Sequence, residues 1–189
     1  MTNPRGARGT LSALWPAAVL IALALPSVAR AQRVMVVQAG VAPTAVVLPH
    51  GQFTVPIVLN MSAAGGADLA ALTATVTWSA AALTLDSIAT GGFGSLTSNA
   101  LKAAGSASIS VFSVTGTSRT VTLAQFFFSA RAGPGRAEIA VTPTVAGNEV
   151  GHPILGMVRS RPLQVCVTVD VAPCASEARP SKPTHRSSE

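Results

Sequence analysis

Side chains that carry nucleophilic, acid–base or metal chemistry are sparse in this chain: two cysteines, three histidines and seven acidic residues among 189. A tetrahedral metal site needs about four ligands, and His50, His152 and His185 are widely scattered, so no metal is expected. Asp68, Asp86, Glu138, Glu149 and Asp170 are spread along the chain without the closely spaced acids of a calcium loop. Glycoside hydrolysis needs two carboxylates converging at a set separation, and these acids fall on different expected elements. Serine is plentiful, but a serine nucleophile needs a base, and His50 and His152 sit beside glycine or proline in expected turns. The chain therefore reads as a non-enzyme with no cofactor.

Cys166 and Cys174 have only seven residues between them, and Ala172-Pro173 before the second can turn the chain back. In an oxidising compartment this spacing suits a disulfide; the alternative is a pair of buried or reduced thiols. The other chemistry on offer is hydrogen bonding by small hydroxyls. In Leu72-Thr73-Ala74-Thr75-Val76-Thr77-Trp78 the even positions are apolar and the odd ones all threonine, so one face packs and the other displays a row of hydroxyls.

Such a row must be held by strands, and alternation is the dominant pattern. In Phe53-Thr54-Val55-Pro56-Ile57-Val58-Leu59-Asn60-Met61 the odd positions are uniformly apolar and are expected to face the core. Further strands are expected over 44–48, 83–88, 107–114, 120–130, 137–145 and 163–169. They are punctuated by His50-Gly51, Gly65-Gly66, Gly91-Gly92, Gly133-Pro134-Gly135 and Gly147-Asn148. Many short strands at this spacing predict an all-β fold, an antiparallel β-sandwich of about nine strands, jelly-roll or immunoglobulin-like. The same alternation turns Phe127, between Phe126 and Phe128, away from the core, unless it packs under a loop.

Residues 1–31 have the pattern of a secretory signal peptide: Arg5 and Arg8, an apolar run from Leu11 to Leu25, then Pro26 and Ala29-Arg30-Ala31. The apolar run is shorter than the roughly 20 residues that span a bilayer, so cleavage between Ala31 and Gln32 is expected rather than a permanent span. Export, to the periplasm, surface or medium, follows. Removing Arg5, Arg8 and Arg30 reduces the 13 basic residues to 10 against 7 acidic, so a net charge of +6 falls to +3. Arg179, Lys182 and Arg186 of that remainder lie near the C-terminus, and no basic stripe with interleaved aromatics is left to follow a nucleic acid. The chain divides into residues 1–31, a domain over 32–174 and a polar, proline-containing tail over 175–189, which lacks the apolar residues to order itself.

The motif order resembles the cohesin family, β-sandwich modules that bind dockerins. The likeness runs from about Val41 to Val169 through HGQFTVPIVLNMS, LTATVTWSAAALTLDSIATGG, ISVFSV and TVTLAQFFFSARAGPGRAEIAV. Where family members commonly have Tyr-Asp-Pro after the third strand, this chain has Trp78-Ser79-Ala80. The resemblance implies that the strands bearing Thr73, Thr75 and Thr77 and Ser106, Ser108 and Ser110 lie side by side in the sheet that cohesins use for partners, with Phe112 ending one row. Phe127 is a further candidate contact. The implied partner is a protein, dockerin-like or of the cell envelope. Threonine on an exposed strand also follows from β-propensity alone, which leaves a purely structural or adhesion role open. Polysaccharide binding is the other alternative. It usually employs exposed aromatic platforms, whereas the chain has no tyrosine and Trp78 is expected to face inward.

Overall fold

A computed structural model describes residues 33–169. The expected signal peptide with its cut between Ala31 and Gln32, Cys174 and the tail over 175–189 lie outside the described residues. The described chain forms eleven strands: β1 (Met35–Ala39), β2 (Thr44–Val47), β3 (Gln52–Asn60), β4 (Leu69–Trp78), β5 (Leu83–Thr90), β6 (Ser95–Leu101), β7 (Ser106–Thr117), β8 (Val121–Ala130), β9 (Gly135–Gly147), β10 (Val158–Arg161) and β11 (Leu163–Val167). Two single-turn 3-10 segments, Lys102–Ala104 and Leu155–Met157, complete it. Among these residues no helix is long and apolar enough to cross a membrane.

The strands form two sheets, ordered β10-β1-β3-β8-β5 and β2-β11-β9-β4-β7-β6. All internal pairings are antiparallel except two, β1 with β10 and β11 with β2. The sandwich is thus the expected all-β class, but each sheet carries one parallel pair at an edge. β1, β6 and β10 are three strands that the alternation did not reveal. β6 and β10 are edge strands, which bury little and so need little apolar alternation.

Alternation elsewhere places the core directly. Val55, Ile57 and Leu59 of β3 and Leu72, Ala74 and Val76 of β4 are buried, as are Ala107, Ile109 and Val111 of β7. On β8, Phe126 and Phe128 point inward and Phe127 does not. Phe128 anchors the core aromatics: its ring lies 5.7 Å from that of Phe53, 6.1 Å from that of Phe126, and 5.5 Å edge-on from that of Trp78. Such ring pairs add to the apolar area that each side chain buries.

Bulges mark where the period of two is interrupted. In the β3–β8 ladder Ile57 pairs with Ala124 and Val58 with Thr122, leaving Leu123 as the extra residue. Leu123 and Ala124 are consequently both buried. In the β4–β9 ladder Thr73 pairs with Val145 and Ala74 with Pro143, so Thr144 is the extra residue. Pro143 sits beyond the β11 pairing, which ends at Ile139, so its missing N–H leaves no partner unsatisfied on that side.

Candidate functional site

β4 is flanked by β7 on one side and β9 on the other, with β6 outside β7. The pairing Thr73–Ser110, Thr75–Ser108 and Thr77–Ser106 sets the two hydroxyl rows directly opposite each other. β6 extends them, with Thr97 opposite Ser110 and Asn99 opposite Ser108, and on the far side Thr142 lies opposite Thr75. Period two then forces the outcome: because Leu72, Ala74, Val76, Ala107, Ile109 and Val111 occupy the core, their alternating neighbours must line the outer surface.

The face has no charge at its centre. β4, β6 and β7 contain no Asp, Glu, Lys or Arg at any position, and those of β9 are confined to Arg136 and Glu138 at the end paired with β11. Glu138 there accepts a 2.7 Å hydrogen bond from the Gln164 amide. The Thr73 and Ser110 hydroxyls share a 3.0 Å hydrogen bond, and Thr144 Oγ1 donates to the Thr73 carbonyl at 3.2 Å. Among the described residues the hydroxyls of Thr75, Thr77, Ser106 and Ser108 meet no hydrogen-bond partner, which leaves a central group of four free for an incoming molecule. Larger apolar groups frame them: Phe112 is 53% exposed, Val145 57% and Leu101 64%.

Seven of the eight side chains singled out in the sequence therefore share one surface. Phe127 is separate: it lies between Thr54 of β3 and Ser87 of β5, in the other sheet, and is half-buried on that sheet's outer side. The reason is topological, since an outward side chain on either sheet satisfies the same local alternation. Trp78 faces inward as expected and is buried, its indole N–H without a hydrogen-bond partner among the described residues. Phe112 is the exposed aromatic of the hydroxyl face.

The two histidines among the described residues occupy separate turns. His50, with φ of 59°, turns the chain between β2 and β3, and the His152 backbone N–H donates to the Asn148 side chain at 2.7 Å. The acids are less dispersed than their spacing implies, because folding brings Asp68 and Glu149 to the rim of one open cavity of about 440 Å³, also lined by Thr115, Thr117, Ser118 and Asn148. The β3–β4 connection, the end of β7 and the segment after β9 form it, a juxtaposition that no local pattern encodes. Cys166 is buried on β11, and its expected partner Cys174 is outside the described residues.

Two packed, mostly antiparallel sheets, one presenting an outer face uncharged at its centre, define the class as a jelly-roll β-sandwich domain. Comparison with solved structures places it more closely. The sixth cohesin of scaffoldin B from Acetivibrio cellulolyticus, solved in complex with a Cel5 dockerin, superposes with a TM-score of 0.59 at 16% identity, covering 71% of this chain and 99% of that one. A non-cellulosomal cohesin from the archaeon Archaeoglobus fulgidus gives 0.60 at 10% identity, over 77% of this chain and 99% of that one. The seventh ScaB type I cohesin from Pseudobacteroides cellulosolvens gives 0.59 at 14% identity, over 80% and 98%. The chain has the cohesin fold. No protein-family model and no curated protein matches its sequence.

Proposed function

We propose that this chain is an exported, non-catalytic binding module that holds a protein partner on the outer face of β9, β4, β7 and β6. The observation that carries the reading is the uncharged hydroxyl surface with free Thr75, Thr77, Ser106 and Ser108, framed by Phe112, Val145 and Leu101. Covering it desolvates no ion, and its short side chains have little rotamer freedom to lose, so the cost of association is low. Phe112 is the natural anchor, as aromatics dominate interface energetics. The fold supports the reading by likeness to domains solved with dockerins bound. Export rests on the pattern of residues 1–31, and the partner's identity, dockerin-like or of the envelope, on the resemblance.

The test is capture on the immobilised chain from secreted and envelope fractions, with polysaccharides assayed in parallel. One protein species should be retained, and Thr75→Arg or Ser108→Arg should abolish retention. An aromatic ring buries roughly 200 Å² in full, so covering the exposed half of Phe112 contributes about 2.5 kcal/mol at 25 cal/mol per Å². Phe112→Ala should therefore weaken the isolated complex on the order of 60-fold. Saturable glycan binding without a protein partner would replace this reading, and hydrolysis of any tested glycan or ester by the pure chain would refute the non-catalytic assignment.

A further inference from the structure

Two sheets have four edges, and a bare edge strand offers unpaired N–H and C=O groups to any passing strand. Three of the edges here are blunted. β10 is four residues long and carries Arg159 and Arg161, both exposed. β2 is also four residues long and is bracketed by Pro43 and Pro49. β5 is bulged between Leu85 and Ser87. At that bulge Asp86 accepts from the Ser129 hydroxyl through its carboxylate and from the Lys102 ammonium through its carbonyl, both at 2.7 Å.

β6 has none of these devices. It is seven residues long, Ser-Leu-Thr-Ser-Asn-Ala-Leu, with no charge and no proline. It stays in unbroken register with β7 from Ser95–Phe112 to Leu101–Ser106. Among the described residues no hydrogen bond from outside that ladder reaches the backbone of residues 95–101.

We propose that β6 is a pairing edge for a second copy of this chain, joined antiparallel about a two-fold axis through Ser98. A two-fold sets each strand against itself, so a charged edge would meet like charges, and β6 brings none. The register is self-consistent. Ser98 meets its own mate, Thr97 meets Asn99, and Ser95 meets Leu101. Leu96 meets Ala100, both of which pack against the core in each copy. Leu101, 64% exposed in the single chain, comes into the same cross-strand row as the second copy's Ser95 and Phe112. Lys102, beyond the strand, lies across from Gly94 and so opposes no cation. Apart from Leu101 the outward side chains of β6 are short and give little to select a foreign peptide, which favours a like strand over an unlike one. Pairing joins two six-stranded sheets into one and sets two hydroxyl faces side by side. Any partner with two docking segments then gains from avidity. One strand pair covers less than a standard interface of roughly 1,600 Å², so the dimer depends on concentration.

Sedimentation velocity on the chain produced from its full-length sequence, from low micromolar to about 1 mM, reads this directly. The dimer fraction should rise with concentration. Ser98→Lys and Ser98→Glu should each remain monomeric with unchanged thermal midpoints, because Ser98 is exposed, and mixing the two in equal amounts should restore the dimer. Asn99→Lys and Asn99→Asp repeat the test on the solvent face should either Ser98 variant fail to fold. A native chain monomeric at the highest concentration overturns the proposal. So does a dimer that survives Ser98→Lys, a mixture that fails to recover, or a dimer abolished by Thr75→Arg instead, which would mean association through the face and not the edge.

Discussion

Three consecutive phenylalanines, Phe126, Phe127 and Phe128, make β8 a sensitive gauge of strand register, because a slip by one residue exchanges which rings are buried. Phe128 is fully buried and contacts three other rings. Replacing it with alanine removes the ring's transfer energy and leaves a cavity that these rings cannot collapse to fill, a loss of about 3–5 kcal/mol. Against a typical total of about 5–15 kcal/mol that is a large share of stability. For a domain of this size it lowers the thermal midpoint by about 10–20 °C. Phe126→Ala should behave alike, since that side chain is equally buried. Phe127 keeps part of its ring in water, between Thr54 and Ser87, and opens no interior cavity. Its replacement should cost about 1.5 kcal/mol or less. Urea titration of the three variants measures the differences, with unchanged slopes confirming that only stability has moved. If Phe127→Ala proves as damaging as Phe128→Ala, the register of β8 against β3 and β5 is wrong, and with it the division of aromatic residues between core and surface.

Gly105 closes the turn before β7 with φ of +65°, its carbonyl accepting the Trp78 N–H at 2.8 Å, and a Cβ there would stand 2.3 Å from the Trp78 carbonyl oxygen. Gly105→Ala should cost about 1–3 kcal/mol from backbone strain alone, and more once the contact is relieved. Denaturation with no loss of stability would show that the turn adopts another conformation. If the proposed export holds, peptide mass mapping of the chain recovered from its host without reduction should find Gln32 as the first residue and a crosslinked peptide joining Cys166 to Cys174; two separate alkylated thiols would refute the bridge. Reducing that bridge should destabilise the domain by about 2–3 kcal/mol, as expected for a short closed loop.

Alternating chemistry made the sandwich legible because a strand's period of two is a local property. Thr73, Thr75 and Thr77 alternate with buried Leu72, Ala74 and Val76, and each occupies the side that its own sequence implies. The edge strand β6 was not legible in the same way, since Ser-Leu-Thr-Ser-Asn-Ala-Leu has little interior to fill and hence a weak apolar signature. β10, with alternating arginines in place of apolar residues, was hidden for the same reason.

By itself, then, the sequence determined which side chains of the regularly alternating strands face inward, where the chain turns between them, and that no cluster of reactive groups arises from local spacing. Only the tertiary structure decided which strands became neighbours. Pairing β4 with β7 turned two separate hydroxyl rows into one surface, and placing β8 in the opposite sheet removed Phe127 from it. The convergence of Asp68 and Glu149 on one cavity, and the contrast between three guarded edges and a bare β6, are likewise products of long-range packing. The physical reason is that alternation fixes a side chain's direction relative to its own strand, whereas the order of strands is set by burying all the inward faces together in a single core.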